Sequence, residues 1–366
     1  MSKQIQILGL MSGSSLDGLD LALCTFGFEG DELVDWRMDV AETLPFSEKW
    51  QVRLRHLPRQ SALVYAQTHT YFGYYMGELV ETFCQKYAVR PDYIASHGHT
   101  VFHDPNKRFT AQIGDGAALA AVSGVPTLSN FRAQDVALGG EGAPVAPIAD
   151  KFLFPGYDFY LNLGGIANVS CANDGAYIAF DIGGCNQILN ALANELDLPY
   201  DEGGRLASEG QLQPELLQML DANAFFAAPY PKSLSNQWVQ EQLVEQCMQF
   251  DAPVVDLLRT ATEHIAGQIV HALAVVIEKE RMQKDVFRAF ATGGGALNDF
   301  LIKRMREKGG TAHKIEWILP EEKIIQFKEA ALMGLMGVLR VLGHENVLQS
   351  VTGARRNSVG GMLSLP

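Results

Sequence analysis

A β-rich run at residues 4–10 (QIQILGL) breaks into a turn of small and polar residues at 11–18 (MSGSSLDG), and apolar alternation then resumes in LDLALCTF. Alternation with period two marks a strand, and a Gly/Ser-rich break between two such runs marks a tight connection, so the segment predicts a hairpin. The same grammar returns at residue 159, where FYLNLGG passes through IAN into VSCAN. One chain using strand, glycine turn and strand twice predicts two lobes of similar plan. Length agrees, since 366 residues exceed the usual single domain of about 100–200.

Residues 62–88 carry apolar side chains at three- and four-residue spacing, as do residues 254–279, and both segments predict helices. Strands are expected at 93–96, 126–129, 177–181 and 286–291, with a late helix at 326–342. Strands alternating with helices define an α/β protein with a mixed sheet flanked by helices in each half. The Gly-rich stretch GGEGAP at 139–144 is the expected boundary. It divides the chain into a first lobe of residues 1–140 plus the tail 343–366 and a second lobe of residues 141–342.

Hydrophobic residues make up 47% of the chain, enough to bury the core that disordered sequences lack. Acidic residues outnumber basic ones 42 to 29, a net charge of −13 that repels polyphosphate backbones and anionic lipid. Nucleic acid and membrane are therefore not expected partners. The five cysteines are odd in number and contain no C-x-x-C pair, so they read as reduced thiols rather than a disulfide framework or zinc module. The first residues lack the apolar core and cleavage site of a leader, and no 18 uninterrupted apolar residues occur, so a cytoplasmic location is expected.

The common nucleotide motifs fail. No G-x-x-x-x-G-K-[ST] is present, no G-x-G-x-x-G opens a helix after a strand, and neither H-E-x-x-H nor G-x-S-x-G occurs. What remains is four Gly-rich turns that each follow a strand: 13–18 (GSSLDG), 164–168 (GGIAN), 183–186 (GGCN) and 292–298 (TGGGALN). Phosphates need several backbone N–H donors close together, and glycine permits the approach that side chains block. Four such turns suit a triphosphate; taken singly, each is more simply a hairpin turn. Ser14 and Ser15 add hydroxyl donors, while Asp17 and Asp20 suit Mg²⁺, directly or through water.

Asp181 closes the run YIAFD and precedes a helical stretch. A carboxylate at a strand end facing a phosphate crevice suits a general base, with a helix N-cap as its alternative role. His97, His99 and His103 are spaced like metal ligands, and on one strand His97 and His99 share a face. No accompanying Cys supports zinc, so hydrogen bonding to substrate, or plain satisfied histidines, is preferred. Arg132 offers a fork to a carboxylate and Asp135 an acceptor to sugar hydroxyls, unless the two form an exposed ion pair. Glu329 is a polar exception, with Lys328, on an apolar helix face, and either reaches a ligand or is solvated. Thr292, Gly293, Gly294 and Gly295, followed by Asn298, suit a turn beneath an adenosine.

MSGSSLDGLDLAL, SHGHTVFH, QIGDG, FRAQDVALGGEGAP, NLGGIANVS, FDIGGCN, DEGG, PKSLS, ATGGGALN, KEA and SVTGA occur in this order over nearly the whole chain. Together they resemble the anhydro-N-acetylmuramic acid kinase family. The resemblance implies two actin-like (ribonuclease H-like) lobes with an ATP cleft between them. It implies a reaction in which ATP, water and 1,6-anhydro-N-acetylmuramic acid give N-acetylmuramic acid 6-phosphate and ADP, as in peptidoglycan recycling.

By motif, the resemblance makes Asp181 the residue that activates the water attacking the anomeric carbon. Gly13, Ser14, Ser15, Leu16, Asp17, Gly18, Leu19 and Asp20 form the first phosphate motif, with Asp17 on Mg²⁺. Gly164 and Gly165, with Asn168 nearby, form the second, and Thr292–Gly295 the adenosine motif. His97, Thr100, Arg132 and Glu329 fall in segments that line the sugar pocket. ATP, Mg²⁺ and a small amino sugar are thus the expected ligands, and the long helices offer faces for a homodimer. Several positions depart from the family pattern: Ile182-Gly183-Gly184-Cys185-Asn186 stands for Thr-Gly-Pro-Gly-Asn, which places a thiol beside the chemistry, Ser14 stands for Thr, His99 for Gln and Gly116 for Pro. A related amino-sugar kinase, a non-catalytic nucleotide-dependent module and an ATP-independent anhydro-sugar hydrolase are the alternatives.

Overall fold

The computed structural model describes residues 3–13, 16–30, 32–173, 176–310 and 313–366. The chain forms two compact units, Met1–Pro155 with Phe327–Pro366, and Gly156–Gln326. The GGEGAP stretch lies inside the first of these.

The first unit opens with β1 (Lys3–Met11), β2 (Gly18–Glu29) and β3 (Glu32–Pro45), joined antiparallel. A helix, Ala62–Tyr87, begins where Ser61 accepts a hydrogen bond from the Val64 amide, and crosses over to β4 (Tyr93–Ser96), which lies parallel to β1. A separate hairpin of β5 (His99–Asp104) and β6 (Phe109–Ile113) precedes β7 (Thr127–Ser129), which is parallel to β4. On one face Leu8, Leu10, Leu21 and Leu23 pack with Phe72, Met76, Val80 and Phe83 of the long helix.

The helix Glu322–Leu342 covers the other face, with Gly334 and Gly337 seated against Ile7, Phe26 and Ala95. Gly9 meets it backbone to backbone: a Cβ there would stand 1.8 Å from the carbonyl oxygen of Ala330. From Phe327 onward this helix belongs to the first unit.

The second unit repeats the plan with β8 (Phe159–Leu163), β9 (Ile166–Asn173), β10 (Ala176–Gly184), β11 (Phe287–Thr292) and β12 (Ile315–Ile318). Its order, β10-β9-β8-β11-β12, matches β3-β2-β1-β4-β7 of the first unit strand for strand. In both, an antiparallel meander of three is extended by two parallel strands, the ribonuclease H-like arrangement the sequence leads one to expect. A last strand, β13 (Met362–Ser364), adds antiparallel to β7 and closes that edge of the first unit. The helix Val254–Lys279 is long and apolar enough to cross a membrane, yet it is the core helix of the second unit, where Leu258, Ala261, Ile269 and Leu273 are fully buried.

Two local expectations are corrected. Asp181 does not end its strand: β10 continues to Gly184 across a register shift between Asp181 and Gly183, so the residue is neither a strand terminus nor a helix cap. His97 and His99 are not on one strand either. β4 stops at Ser96, Gly98 turns the chain at φ +70°, and β5 begins at His99. All five cysteines are free, and Cys24, Cys171, Cys185 and Cys247 are buried.

Candidate functional site

In the second unit, a polar row crosses one face of the sheet. Asp181 on β10 lies opposite Asn168 on β9, Asn168 opposite Asn162 on β8, and Asn162 beside Thr292 on β11. Their neighbours along the strands, Leu161, Leu163, Ala167, Val169, Phe180 and Ile182, point the other way into the core. Period two thus sorts chemistry from packing.

Asp181 is half-buried, and its carboxyl is raised above the ordinary aspartate range by burial, with a backbone hydrogen bond from Leu234 working against the rise. The Leu234 amide donates to Oδ2 at 2.8 Å, and the Asp181 amide donates to the carbonyl of Lys232 at 2.9 Å. Among the described residues Oδ1 accepts no hydrogen bond. A poorly hydrated carboxylate with one oxygen held and the other open is suited to taking a proton. Sequence reasoning missed the segment that holds it; PKSLS was noted only as part of a pattern.

The turn Gly164–Gly165 accepts from the amides of Cys185, Asn186 and Gln187 at 2.8–3.2 Å, which locks the end of β10 onto it. A Cβ on Gly165 would meet nothing nearer than Gln187 Cβ at 3.9 Å, so the front of this turn is open. Cys185 points into the core, where burial pushes its thiol up to about 12. The thiol therefore does not stand beside the carboxylate. Thr292 is buried, and its hydroxyl donates to the Leu161 carbonyl at 3.1 Å. Gly293 at φ +84° leads into a single 3₁₀ turn, Gly294–Leu297, and Asn298 caps the helix Asp299–Lys308 by accepting from the Leu301 amide.

In the first unit, Ser14 and Ser15 lie outside the described residues. Around them, Leu16 and Leu19 are buried in the core, so their side chains are not ligand contacts. Asp17 accepts from the Gly18 amide at 3.0 Å, and Asp20 accepts from the Thr43 hydroxyl at 2.6 Å. Burial raises the Asp20 carboxyl, the Thr43 bond opposes the rise, and the charges of Asp17 and Glu329 add to it. Glu329 is exposed, whereas its neighbour Lys328 is buried 3.6 Å from Asp150. Among the described residues no three His, Cys, Asp or Glu side chains gather as a metal site.

His97 is buried, with Nδ1 3.0 Å from the Gly98 carbonyl. A carbonyl only accepts, so Nδ1 carries the proton and Nε2 presents a lone pair, which has no partner among the described residues. Burial and then the Arg132 charge bring its pKa down to about 3, so the ring is neutral at any physiological pH. Arg132 Nε–H is buried and likewise unmatched. Each is a buried polar atom of the kind a ligand's hydroxyl, amide or carboxylate would satisfy.

His97 also lines a hollow of about 460 Å³ with Gln112, Asp115, Ser129, Asn130 and Met362. Thr100 stands behind it, accepting from Gln112, and neither Arg132 nor Glu329 borders it. His99 is turned toward Ser12, 3.1 Å from its hydroxyl. Asp135 corrects its assignment: fully buried, it accepts from the Gly142 amide at 2.7 Å and the Thr352 hydroxyl at 2.8 Å. It fastens a loop and has no free oxygen for a sugar.

A duplicated ribonuclease H-like sheet with a glycine-bearing turn after the first strand of each copy is the plan of the actin-like sugar kinases. The family model for anhydro-N-acetylmuramic acid kinase matches residues 5–365, and the chain belongs to that family. An anhydro-N-acetylmuramic acid kinase of Idiomarina loihiensis is 34% identical over 319 residues, 82% of this chain and 83% of the relative. One of Vibrio cholerae is 29% identical over 393 residues, covering 100% of both. Component A of (R)-2-hydroxyglutaryl-CoA dehydratase from Acidaminococcus fermentans aligns over 90% of this chain and 96% of its own at 12% identity and TM-score 0.42. The fold assignment rests on strand order rather than on that alignment.

Proposed function

We propose that this chain is an ATP-dependent kinase that opens 1,6-anhydro-N-acetylmuramic acid with water and phosphorylates it at O6, yielding N-acetylmuramic acid 6-phosphate and ADP. Membership of the family over residues 5–365 carries the reading. The half-buried Asp181, with one oxygen free, supports its chemistry.

In this reading Asp181 Oδ1 takes a proton from water as the water oxygen bonds to the anomeric carbon. The bond from that carbon to O6 breaks, O6 bonds to the γ-phosphorus, and ADP leaves. Little covalent chemistry falls to the protein beyond this, because phosphoryl transfer depends chiefly on positioning and charge. Gly13–Asp20 and Gly164–Gly165 would supply backbone donors to the phosphates, and Gly293–Gly295 a surface for the adenosine. The open front of Gly165 fits a phosphate where a side chain would exclude it.

Mg²⁺ enters as the partner of ATP. Asp17, with Asp20 nearby, would hold it with phosphate oxygens and water completing its shell, the usual habit of an ion that dehydrates reluctantly. His97 Nε2 and Arg132 Nε–H would read a donor and the lactyl carboxylate of the sugar. A substrate made for wall recycling and a need for ATP place the enzyme in the cytoplasm.

The test is ADP release with Mg·ATP, alone and with 1,6-anhydro-N-acetylmuramic acid, N-acetylmuramic acid or N-acetylglucosamine. Stimulation by the anhydro sugar alone supports the proposal. Stimulation by another sugar moves the substrate, and no stimulation by any of them removes the kinase reading.

A further inference from the structure

The Asp181 carboxylate is held by a segment 53 residues further along the chain, and that segment needs an anchor. Residues 232–234 run beside β10 as a strap. The Lys232 carbonyl accepts from the Asp181 amide, and the Leu234 amide turns to the Asp181 side chain instead of completing a ladder. Pro231, Ser233 and Ser235 are exposed, while Leu234 and the adjoining Tyr230 pack partly buried against the core.

The polar anchor is the Lys232 side chain. Its Nζ donates to the carbonyls of Phe225 at 2.8 Å and Phe226 at 3.2 Å, and sits 4.4 Å from the centroid of the Phe225 ring. These carbonyls belong to the short helix Ala224–Ala227; that of Phe225 also accepts from the Ala228 amide at 3.1 Å, and carbonyls at a helix end accept from a cation well. That helix is itself fixed to β10: the Phe226 ring is buried, lies edge-on to His264, and closes on Gly183, where a Cβ would stand 3.0 Å from it. Both ends of the strap are thereby referenced to the strand that carries Asp181.

We propose that Lys232 is a positioning residue for the reaction, anchoring residues 232–234 so that the Leu234 amide holds Asp181 Oδ2 and leaves Oδ1 aimed at the water. This rests on the reading of Asp181 as the base. The action is transmitted through the strap: the amide bond favours the ionised carboxylate, so a loosened strap weakens that preference as well as the aim.

The experiment uses the full chain with Lys232→Met, Lys232→Arg, Leu234→Pro and Asp181→Asn, and measures kcat, both KM values and the pH profile of kcat/KM. Lys232→Met is expected to lower kcat by about 10- to 100-fold, the scale of an ångström-size misplacement. The KM values should stay within about two-fold, and the acidic limb of the profile should move to higher pH because the carboxylate has lost a donor. Lys232→Arg, which can still reach both carbonyls, should restore most of kcat.

Leu234→Pro removes the donor without touching the ammonium anchor and should reproduce the moved limb, so it decides the matter if Lys232→Met does not fold. Wild-type kcat in Lys232→Met, or a lowered kcat with an unmoved limb in both variants, overturns the proposal. Turnover retained by Asp181→Asn overturns the assignment of the base itself, a result read on a different variant.

Discussion

Asn168 lies directly opposite Asp181 across β9 and β10, so the amide and the carboxylate project from one face of the sheet while every flanking side chain is core. A carboxylate placed there costs the fold something, because burial raises its pKa and the ionised form is the disfavoured one.

Replacing Asp181 with Asn should abolish sugar-stimulated ADP release, a loss of at least about 100-fold for removal of a general base, with ATP affinity unchanged within a few-fold. The sign for stability is opposite. A group whose folded pKa is raised destabilises the fold at pH above both values, so at pH 7 the variant should melt no lower than the parent. In the parent, kcat/KM should fall as pH drops through a value above the ordinary aspartate pKa of about 3.9. Titration of the rate at or below that value would count against Asp181 as the base.

Gly165→Val should fold, since its Cβ direction is open and no positive φ constrains it. It should nevertheless weaken ATP binding by at least about 10-fold, or about 1.4 kcal/mol, by filling the space in front of the turn. Isothermal titration with ATP checks this, and normal affinity would move the phosphate away from this turn. Gly293→Ala is a poorer probe, because φ is +84° and its Cβ would fall 2.5 Å from Asn162 Oδ1.

Gly9→Ala should destabilise the first unit by about 3 kcal/mol or more, beyond the ordinary range for an added methyl group. The obstacle is the backbone carbonyl of Ala330, which no rotamer change relieves. Urea unfolding of the variant measures it.

Glu263 is buried among Arg259, Arg304 and Lys308 at 3.1, 2.5 and 3.0 Å. Burial alone would raise its carboxyl; the bonds from Arg304 and Lys308 and their charges outweigh that and hold it below the usual value. Glu263→Gln removes the buried anion that Arg259, Arg304 and Lys308 share, with Arg304 keeping Glu307, and should cost about 3 kcal/mol near pH 7. Because the folded pKa is the lower one, the stabilisation is present above the unfolded value and fades as pH falls through the folded value. The gap in urea midpoint between parent and variant should therefore close in acid.

Alternation and glycine turns made the two hairpins, the long helices and the duplicated plan legible, since each depends on neighbours in sequence. Long-range partners were not. Asp181 read as a strand end because Gly183 and Gly184 follow it, yet β9 pairs with those glycines through a register shift. His97 and His99 shared a face only until Gly98 turned the chain. Asp135 looked available beside Arg132, but its partners Gly142 and Thr352 come from a loop and from the far end of the chain. The anchor Lys232 was hidden for the same reason, its target being backbone carbonyls that no composition reveals.

The first unit is assembled from both ends of the chain, and the second from one uninterrupted stretch. A chain leaving the ribosome can therefore complete residues 156–326 while the sheet begun by β1 still lacks the helix Glu322–Leu342 and the edge strand β13. Until residues 322–342 are made, Ile7, Phe26 and Ala95 have no helix over them, and until 362–364 are made the β7 edge is bare. A cut before residue 322 would therefore fall on the sheet formed by the residues made first, not on the stretch next to the cut.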